Sequence, residues 1–247
     1  MPVIQIKGVK KVKRSLFFCL SGVFILILMS SPGFGQKATD ILDKMIEAQG
    51  GRRVLEGIKD TTLLGSLEWV EAGGGSVSGT FARYQKEPNK IRQELGIMGM
   101  TRTDAFDGEL AWTNEAGKLS EDTEKDAAEK KSWAQGFAAL LHPEKYGIAY
   151  VLKGKEKIEG NDYFILEQTI PGGTPTTQFV DAKTYLIYKI QIPEQLTFMS
   201  DYRNIDGVMI PHSLTFRGSE GGDSIKLVVT KVSFNTNLED SLFQMKK

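Results

Sequence analysis

The sequence predicts a mainly β protein with helices, of the α+β class, built on one continuous antiparallel sheet of about eleven or twelve strands. Reversals that favour positive φ stand between apolar-rich runs, at the Asp-Gly pairs 107–108 and 206–207 and the Gly-Asn pair 160–161. Apolar residues recur with a period of two through most of the chain after residue 60. The connections between these runs are short, as in a meander of hairpins.

Residues 1–35 have the features of a secretory signal peptide. A basic segment precedes an apolar run, 16–29, whose length of about 14 residues is too short for a helix that crosses a bilayer. Small residues at Gly33 and Gly35 then form a cleavage motif, so we expect cleavage after Gly35. Cleavage predicts an exported protein in which residues 36–247 form one domain. The alternative, an uncleaved anchor, would keep the protein attached to the envelope.

The composition of the segment after residue 35 excludes several functions. The whole chain has 31 basic and 31 acidic residues. The first 35 residues hold five of the basic residues and no acidic one, which leaves 26 against 31 and a net charge of about −5. Because there is no basic block, no nucleic-acid partner is expected. The single cysteine, Cys19, precedes the cleavage site, so we expect neither a disulfide nor a thiol nucleophile.

The first predicted element is a helix over 37–50. Thr39 or Asp40 can cap its start, and the glycine pair 50–51 ends it. A short turn is expected over 52–57. Apolar residues recur at helical spacing and can form one buried stripe: Ala38, Ile41, Leu42, Met45 and Ile46.

From residue 61 the alternating pattern predicts strands, interrupted once by a helix. The first strands are expected at 61–71, 76–86, 90–97, 100–106 and 109–113. A helix over 121–141 follows, because this segment is rich in Glu, Lys and Ala. It ends at His142, since the residue before a proline resists helical angles.

Strands resume after this helix and complete the predicted sheet. They are expected at 149–158, 162–170, 175–180, 184–192, 196–204, 208–217 and 224–234. Alternation along 184–192 places Leu186, Tyr188, Ile190 and Ile192 on one face, and along 208–217 it groups Val208, Ile210, Leu214 and Phe216. A sheet of this length curls, and a cleft between it and the two helices is expected.

The sequence offers little for catalysis or metal binding. Its two histidines, His142 and His212, are about 70 residues apart and lack a metal-binding motif, so neither a metal nor a cofactor is expected. His212 alternates with Ile210 and Leu214, which predicts a buried structural residue. No Gly-x-Ser-x-Gly motif is present, although composition alone leaves a Ser-His-Asp triad open. We therefore predict a protein that is not an enzyme.

Large, adaptable apolar side chains are the candidate ligand contacts. Methionine in particular suits surfaces that accept varied apolar partners, while the alternative for each residue is ordinary core packing. The apolar face near the end of the second helix is expected to meet the strands 90–106 and 208–217. The predicted cleft residues are Trp69, Phe81, Ile97, Met98, Met100, Trp112, Trp133, Phe137, Leu140, Met209 and Phe216.

Five segments resemble the periplasmic lipoprotein-carrier superfamily of LolA, LolB and RseB-type domains, in its outer membrane lipoprotein-sorting branch. They are a strand–Pro–strand reversal at 84–92, an Asp-Gly…Trp hairpin at 106–112, and the segments 179–187, 201–211 and 235–243. The resemblance covers about residues 40–243. It implies an unclosed antiparallel β-barrel whose hollow side is covered by helices.

The resemblance also implies a function. A non-catalytic carrier of this kind binds the acyl chain of a lipid or lipoprotein, or another apolar ligand, and passes it to an envelope delivery partner, as a monomer. One position departs from the pattern, because Glu87 stands before Pro88 where the carrier has an arginine that holds its helical lid. The sequence therefore predicts that this lid latch is absent.

Two alternatives remain open. One is an envelope protein-interaction or stress-sensor module on the same fold, with no ligand to transfer. The other is a hydrolase of unknown type.

Overall fold

A computed structural model describes residues 37–246, so the predicted signal peptide lies outside the described residues. The helices are α1 Ala38–Gln49, α2 Arg52–Glu56, α3 Glu124–Trp133 and α4 Phe137–Leu141. The strands are β1 Asp60–Val70, β2 Ser76–Lys86, β3 Lys90–Ile97, β4 Met100–Phe106, β5 Ala111–Glu115, β6 Lys118–Glu121, β7 Ala149–Ile158, β8 Asn161–Thr169, β9 Thr176–Asp181, β10 Ile187–Ile192, β11 Gln195–Ile205, β12 Val208–Gly218 and β13 Ser224–Phe234.

All thirteen strands form one antiparallel sheet in the order β6-β5-β4-β3-β2-β1-β13-β12-β11-β10-β9-β8-β7. Two meanders, β1 to β6 and β7 to β13, are joined where β1 pairs with β13. In the described part of the chain β6 and β7 are edges with one neighbour each, so the sheet is not closed. The predicted mainly β class with an unclosed antiparallel sheet is confirmed.

The helices lie on one face of the sheet, which we call the inner face. α1 contacts β7 and β12, and α3 contacts β4 and β5. α3 and α4 link the two edge strands β6 and β7 in sequence. None of the helices in residues 37–246 is long and apolar enough to cross a membrane.

The first helix forms as predicted. Its N-cap is Lys37 rather than the predicted Thr39 or Asp40, and Asp40 in the first turn accepts a 2.9 Å hydrogen bond from the Lys37 backbone N–H. Gly50 ends the helix with a φ of 137°. A side chain at Gly50 could not fit, because a Cβ there would lie 2.3 Å from the carbonyl oxygen of Gly207. The buried residues are four of the predicted stripe, Ile41, Leu42, Met45 and Ile46.

The second predicted helix, 121–141, is wrong as a single helix. Residue 121, the first of the predicted helix, is instead the last residue of strand β6. The remaining segment forms two helices, because the helical conformation is interrupted between Trp133 and Phe137. Thr123 caps the start of α3 by accepting a hydrogen bond from the N–H of Asp126. Gly136 separates α3 from α4, and helix ends at His142 as predicted.

The turns confirm most of the predicted hairpins. Asp206 and Gly207 both adopt positive φ between β11 and β12. Between β7 and β8 the two turn residues are Glu159 and Gly160, one residue earlier than predicted, because Ile158 pairs with Asn161.

Strand β10 departs from its predicted alternation. Its pairing with β9 shifts register between Ile187 and Lys189. Ile190 and Ile192 consequently face the helices, whereas the ring of Tyr188 stacks near Tyr163 on the other face, 4.7 Å between centroids. The prediction that Tyr188 shares a face with Ile190 is wrong, because a bulge changes the parity of the residues on either side of it.

The C-terminal segment after β13 lies along the outer face of the first meander. The Asp60 carboxylate accepts hydrogen bonds from the backbone N–H groups of Thr236 and Asn237. Phe243 is fully buried, and its carbonyl accepts a 2.8 Å bond from the indole N–H of Trp112. This segment therefore covers Trp112 on the face opposite the helices.

Candidate ligand cavity

A cavity of about 490 Å³ lies between the inner face of the sheet and the helices α1, α3 and α4. Its volume falls within the roughly 300–1,000 Å³ of small-molecule sites. The strands supply an apolar wall, which consists of Leu95, Ile190, Ile192, Met199, Phe216, Ile225 and Leu227. The helices add Met45, Trp133 and Leu140 on the opposite side.

A polar network occupies the part of the cavity formed by β8 and β9. Gln168 donates a 2.6 Å hydrogen bond to the hydroxyl of Tyr150 and accepts bonds from Thr176 and Gln178. Burial raises the pKa of Tyr150 to about 12, so its hydroxyl stays neutral. The side-chain oxygens of Gln49 and Gln178 are buried in the cavity wall without a hydrogen-bond partner in the protein.

Arg83 of β2 lies at the other end of the polar lining. Its guanidinium donates a 2.9 Å hydrogen bond to the carbonyl of Trp133, the last residue of α3. Burial lowers the pKa of Arg83 to about 10, since desolvation disfavours its charge. Arg83 also lines a second cavity of about 220 Å³ under α4.

Glu87 holds α4 over the sheet. Its two carboxylate oxygens accept hydrogen bonds of 2.8 and 2.9 Å from the backbone N–H groups of Phe137 and Ala138. These are N–H groups of the first helical turn, which have no partner within the helix. Gly136 leaves room for this contact, because a Cβ there would collide with the Glu87 carboxylate.

The arginine latch of the resembled family is absent at position 87, as the sequence predicts, but Glu87 makes a contact of its own with the start of α4. An arginine would donate to helix carbonyls, whereas Glu87 accepts from helix N–H groups, so the polarity of the contact is reversed. Burial raises the pKa of Glu87, although the two backbone hydrogen bonds and the charge of Lys59 oppose this.

Lys130 anchors α3 to the sheet from beneath. Its side chain is 3% exposed and its ammonium lies 3.0 Å from Asp104 and 2.6 Å from Asp122. Arg102 donates two hydrogen bonds to the same Asp104 carboxylate. Burial opposes ionisation of Asp104, but these cations outweigh it and hold its pKa below the usual value.

Four of the predicted cleft residues line these cavities. Trp133, Leu140 and Phe216 line the larger one, and Phe137 and Leu140 line the smaller one. Trp133 packs against a cluster from β3 to β5 that includes Ile91. Phe137 packs in the cluster that contains Val208 and Ile210, so the helix face meets both expected strand segments. Some of Ile97, Met98, Met100 and Phe216 were expected among these contacts, but none of the four belongs to either cluster.

The remaining predicted cleft residues lie elsewhere. Phe81 and Ile97 belong to the same core cluster as the wall residues Phe216 and Leu227 but do not line the cavity themselves, and Trp112 is under the C-terminal segment. Met209 alternates with the buried Val208 and Ile210 and so faces away from the helices. Three residues near the turns are exposed by 39, 75 and 57%: Trp69, Met98 and Met100.

The polar residues of the cavity lining are absent from the predicted cleft residues, which are all apolar or aromatic. Arg83 is two residues from the inward-facing Phe81, and Gln168 is two residues from the buried Leu166. On a strand, a polar residue two positions from a buried apolar residue faces the same side, and this spacing was the sequence signal for these lining residues. His212 is buried on the inner face as predicted, with its Nδ1 atom 3.0 Å from the carbonyl oxygen of Ile210.

Solved structures with the same fold are found at low sequence identity. A LolA superfamily protein from Nitrosomonas europaea aligns with a TM-score of 0.60 and 14% identity, over 85% of this chain and 98% of that one. A DUF1329 family protein from Desulfovibrio piger gives 0.57 and 14%, over 83% and 96%. An outer membrane lipoprotein-sorting protein domain from Vibrio parahaemolyticus gives 0.55 and 14%, over 83% and 94%.

No protein-family model and no curated protein matches this sequence. The structural neighbours nevertheless confirm, at the level of the fold, the resemblance to the LolA superfamily.

Proposed function

We propose that this protein is a non-catalytic periplasmic carrier or binding protein for an acyl chain, a lipoprotein or another apolar ligand. The observation that carries the proposal is the 490 Å³ cavity with an apolar wall of strand residues and a cover of helices. The cover is attached to the sheet at separate points by Glu87, Arg83 and Lys130. Such a cover can open without disturbing the ladder of the sheet.

The apolar wall can supply useful affinity without any catalytic group. Burial of one CH₂ group is worth about 0.8 kcal/mol, so a chain of about 16 carbons gains on the order of 10 kcal/mol before ordering costs. An affinity between micromolar and nanomolar requires about 8–12 kcal/mol. The wall formed by residues such as Met199, Phe216 and Leu227 is of the required chemical kind.

The proposed location follows from the first 35 residues. Their basic and apolar segments and the Gly33-x-Gly35 motif support export and cleavage, leaving residues 36–247 as one periplasmic domain. The neighbour named as a lipoprotein-sorting domain supports an envelope role. Transfer to an envelope delivery partner would require α4 to leave its contact with Glu87.

Native mass spectrometry of the full-length protein, purified from its own envelope without detergent, tests the proposal. We expect a fraction of the protein to carry one non-covalent lipid, which is absent from the spectrum of the denatured protein. Protein without bound lipid that also fails to take up added fatty acid would overturn the carrier proposal. That result would favour the alternative of an envelope interaction module.

A further inference from the structure

Arg83 is a half-buried cation in the cavity lining that lacks a counter-charge among the described residues. Among residues 37–246 no carboxylate lies within ion-pair distance of its guanidinium, and its one hydrogen bond to the protein goes to the Trp133 carbonyl. A guanidinium has five N–H donors. A buried charge without a partner is costly, so most of the hydrogen-bonding capacity of Arg83 is available to something in the cavity.

The other charged residues that line the cavity are not available to bind an anion. Arg102 already donates two hydrogen bonds of 2.9 Å to the carboxylate of Asp104. Glu129 lines the cavity from α3, about one turn before Trp133, and forms no ion pair with Arg83 in the described chain. Arg83 is therefore the cation left to receive an anion.

Arg83 on β2 marks one polar end of the cavity, and the polar network of β8 and β9 marks the other, because the wall strands β10 to β13 lie between them in the sheet. Around Arg83 lie polar side chains, among them Gln93 on the neighbouring strand and Gln135 after α3. Leu95 is the one wall residue near Arg83, since it pairs with Phe81. The rest of the wall begins further along the sheet. Leu227 pairs with Leu67 of β1, which pairs with Gly79, four residues from Arg83 on β2. Four residues of strand span about 13 Å.

We propose that the cavity selects an amphiphile with an anionic head, a carboxylate or a phosphate, which Arg83 binds while the acyl chain lies along the apolar wall of β10 to β13. This inference rests on the proposed function and narrows its ligand to a fatty acid or an anionic single-chain lipid. Arginine suits such a head because its planar fork pairs with two oxygens at once. A neutral lipid of equal chain length leaves the cation unpaired and binds more weakly.

The test compares matched 12-carbon ligands by isothermal titration calorimetry of the purified protein. Dodecanoate and dodecyl phosphate carry the anionic head, 1-dodecanol lacks the charge, and acetate and inorganic phosphate lack the chain. We expect each anionic amphiphile to bind at least tenfold more tightly than dodecanol, and the two head groups without a chain to show no saturable binding.

The variant Arg83→Gln should reduce the preference for dodecanoate over dodecanol to less than threefold, and Arg83→Lys should keep an intermediate preference. Arg217→Gln, which removes a guanidinium that stacks over Phe198 away from the cavity, should keep the wild-type preference. Circular dichroism checks that each variant folds.

Three outcomes would count against the inference. Equal affinity of the wild-type protein for dodecanoate and dodecanol would overturn it while leaving the carrier function intact, and needs no variant. An equal loss of both ligands in Arg83→Gln would show that Arg83 only positions α3. No binding of any amphiphile would reject the carrier function itself.

Discussion

Glu87 contacts the covering helix α4 through a hydrogen-bond acceptor, whereas an arginine at this position would contact it through donors. The backbone of α4 presents unpaired N–H groups at its start, and a carboxylate at position 87 reaches two of them. Ionised, Glu87 accepts both bonds but is held away from water. Its protonation state therefore affects the stability of the protein.

The pH dependence of stability tests this description of Glu87. Its folded-state pKa lies above the ordinary value of 4.5, chiefly because of burial. The folded state then binds the proton more tightly than the unfolded state, so stability falls as pH rises from about 4.5 through the folded-state pKa. We expect the free energy of unfolding of wild type minus that of Glu87→Gln to decrease across this window.

Urea unfolding of both proteins at closely spaced pH values provides the measurement. If the free energy of unfolding of wild type minus that of Glu87→Gln instead increased with pH, the hydrogen bonds from Phe137 and Ala138 would outweigh the cost of burying the charge. That result would contradict the assigned direction of the pKa shift.

At the scale of elements, α3 has little apolar surface and depends on one ionic anchor. Among its residues, Lys130 is the buried one. Its ammonium satisfies Asp104 and Asp122 and also donates a 2.8 Å bond to the Trp112 carbonyl. A helix this polar would gain little by packing alone, so the ion cluster fixes its place over the sheet.

Loss of the anchor should be costly. Lys130→Met leaves two buried carboxylates without their shared cation, and we expect it to lower the free energy of unfolding by about 3–5 kcal/mol in chemical denaturation. Lys125→Met on the same helix is the matched control. It removes an exposed ion pair with Glu194 and should leave the free energy of unfolding nearly unchanged.

Replacing both acids as well, by Asp104→Asn and Asp122→Asn in the Lys130→Met background, should recover part of the loss. Similar costs for Lys130→Met and Lys125→Met would show that α3 is held by other contacts.

Most strands could be predicted from the sequence, whereas one helix break and one β-bulge could not. Alternation and turn chemistry predicted strands such as β12, with Val208, Ile210 and Leu214 inward. The break at Gly136 could not be predicted, because it depends on the carboxylate of Glu87, which is distant in sequence. The bulge near Ile187 was also invisible, since its cause is the pairing of β10 with β9.

For the whole molecule, the pairing of β1 with β13 turns two meanders into one sheet, and α3 and α4 run between its free edges β6 and β7. The sequence pattern predicted one continuous antiparallel sheet and a cleft under the helices, and the family resemblance implied that the sheet is unclosed. The pattern did not predict the two polar ends of the cavity, because Arg83 and Gln168 are polar residues on strands whose apolar residues alone were taken as candidates. Nor did it predict that the C-terminal segment covers Trp112.

The central claim is that the space between sheet and helices holds an acyl chain. Met199 lines this space, whereas Met209 faces away from the helices, so the same substitution at the two positions forms a matched pair. Met199→Trp fills part of the cavity, and Met209→Trp adds the same bulk outside it. Circular dichroism and urea unfolding establish that both variants are folded before binding is compared.

Calorimetric titration of dodecanoate into wild type, Met199→Trp and Met209→Trp is the most direct measurement. We expect saturable binding of one molecule per wild-type chain, at least a tenfold weaker affinity in Met199→Trp, and an affinity within about twofold of wild type in Met209→Trp. Equal affinity in the two variants, or no saturable binding of dodecanoate or dodecanol to the wild-type protein, would contradict it.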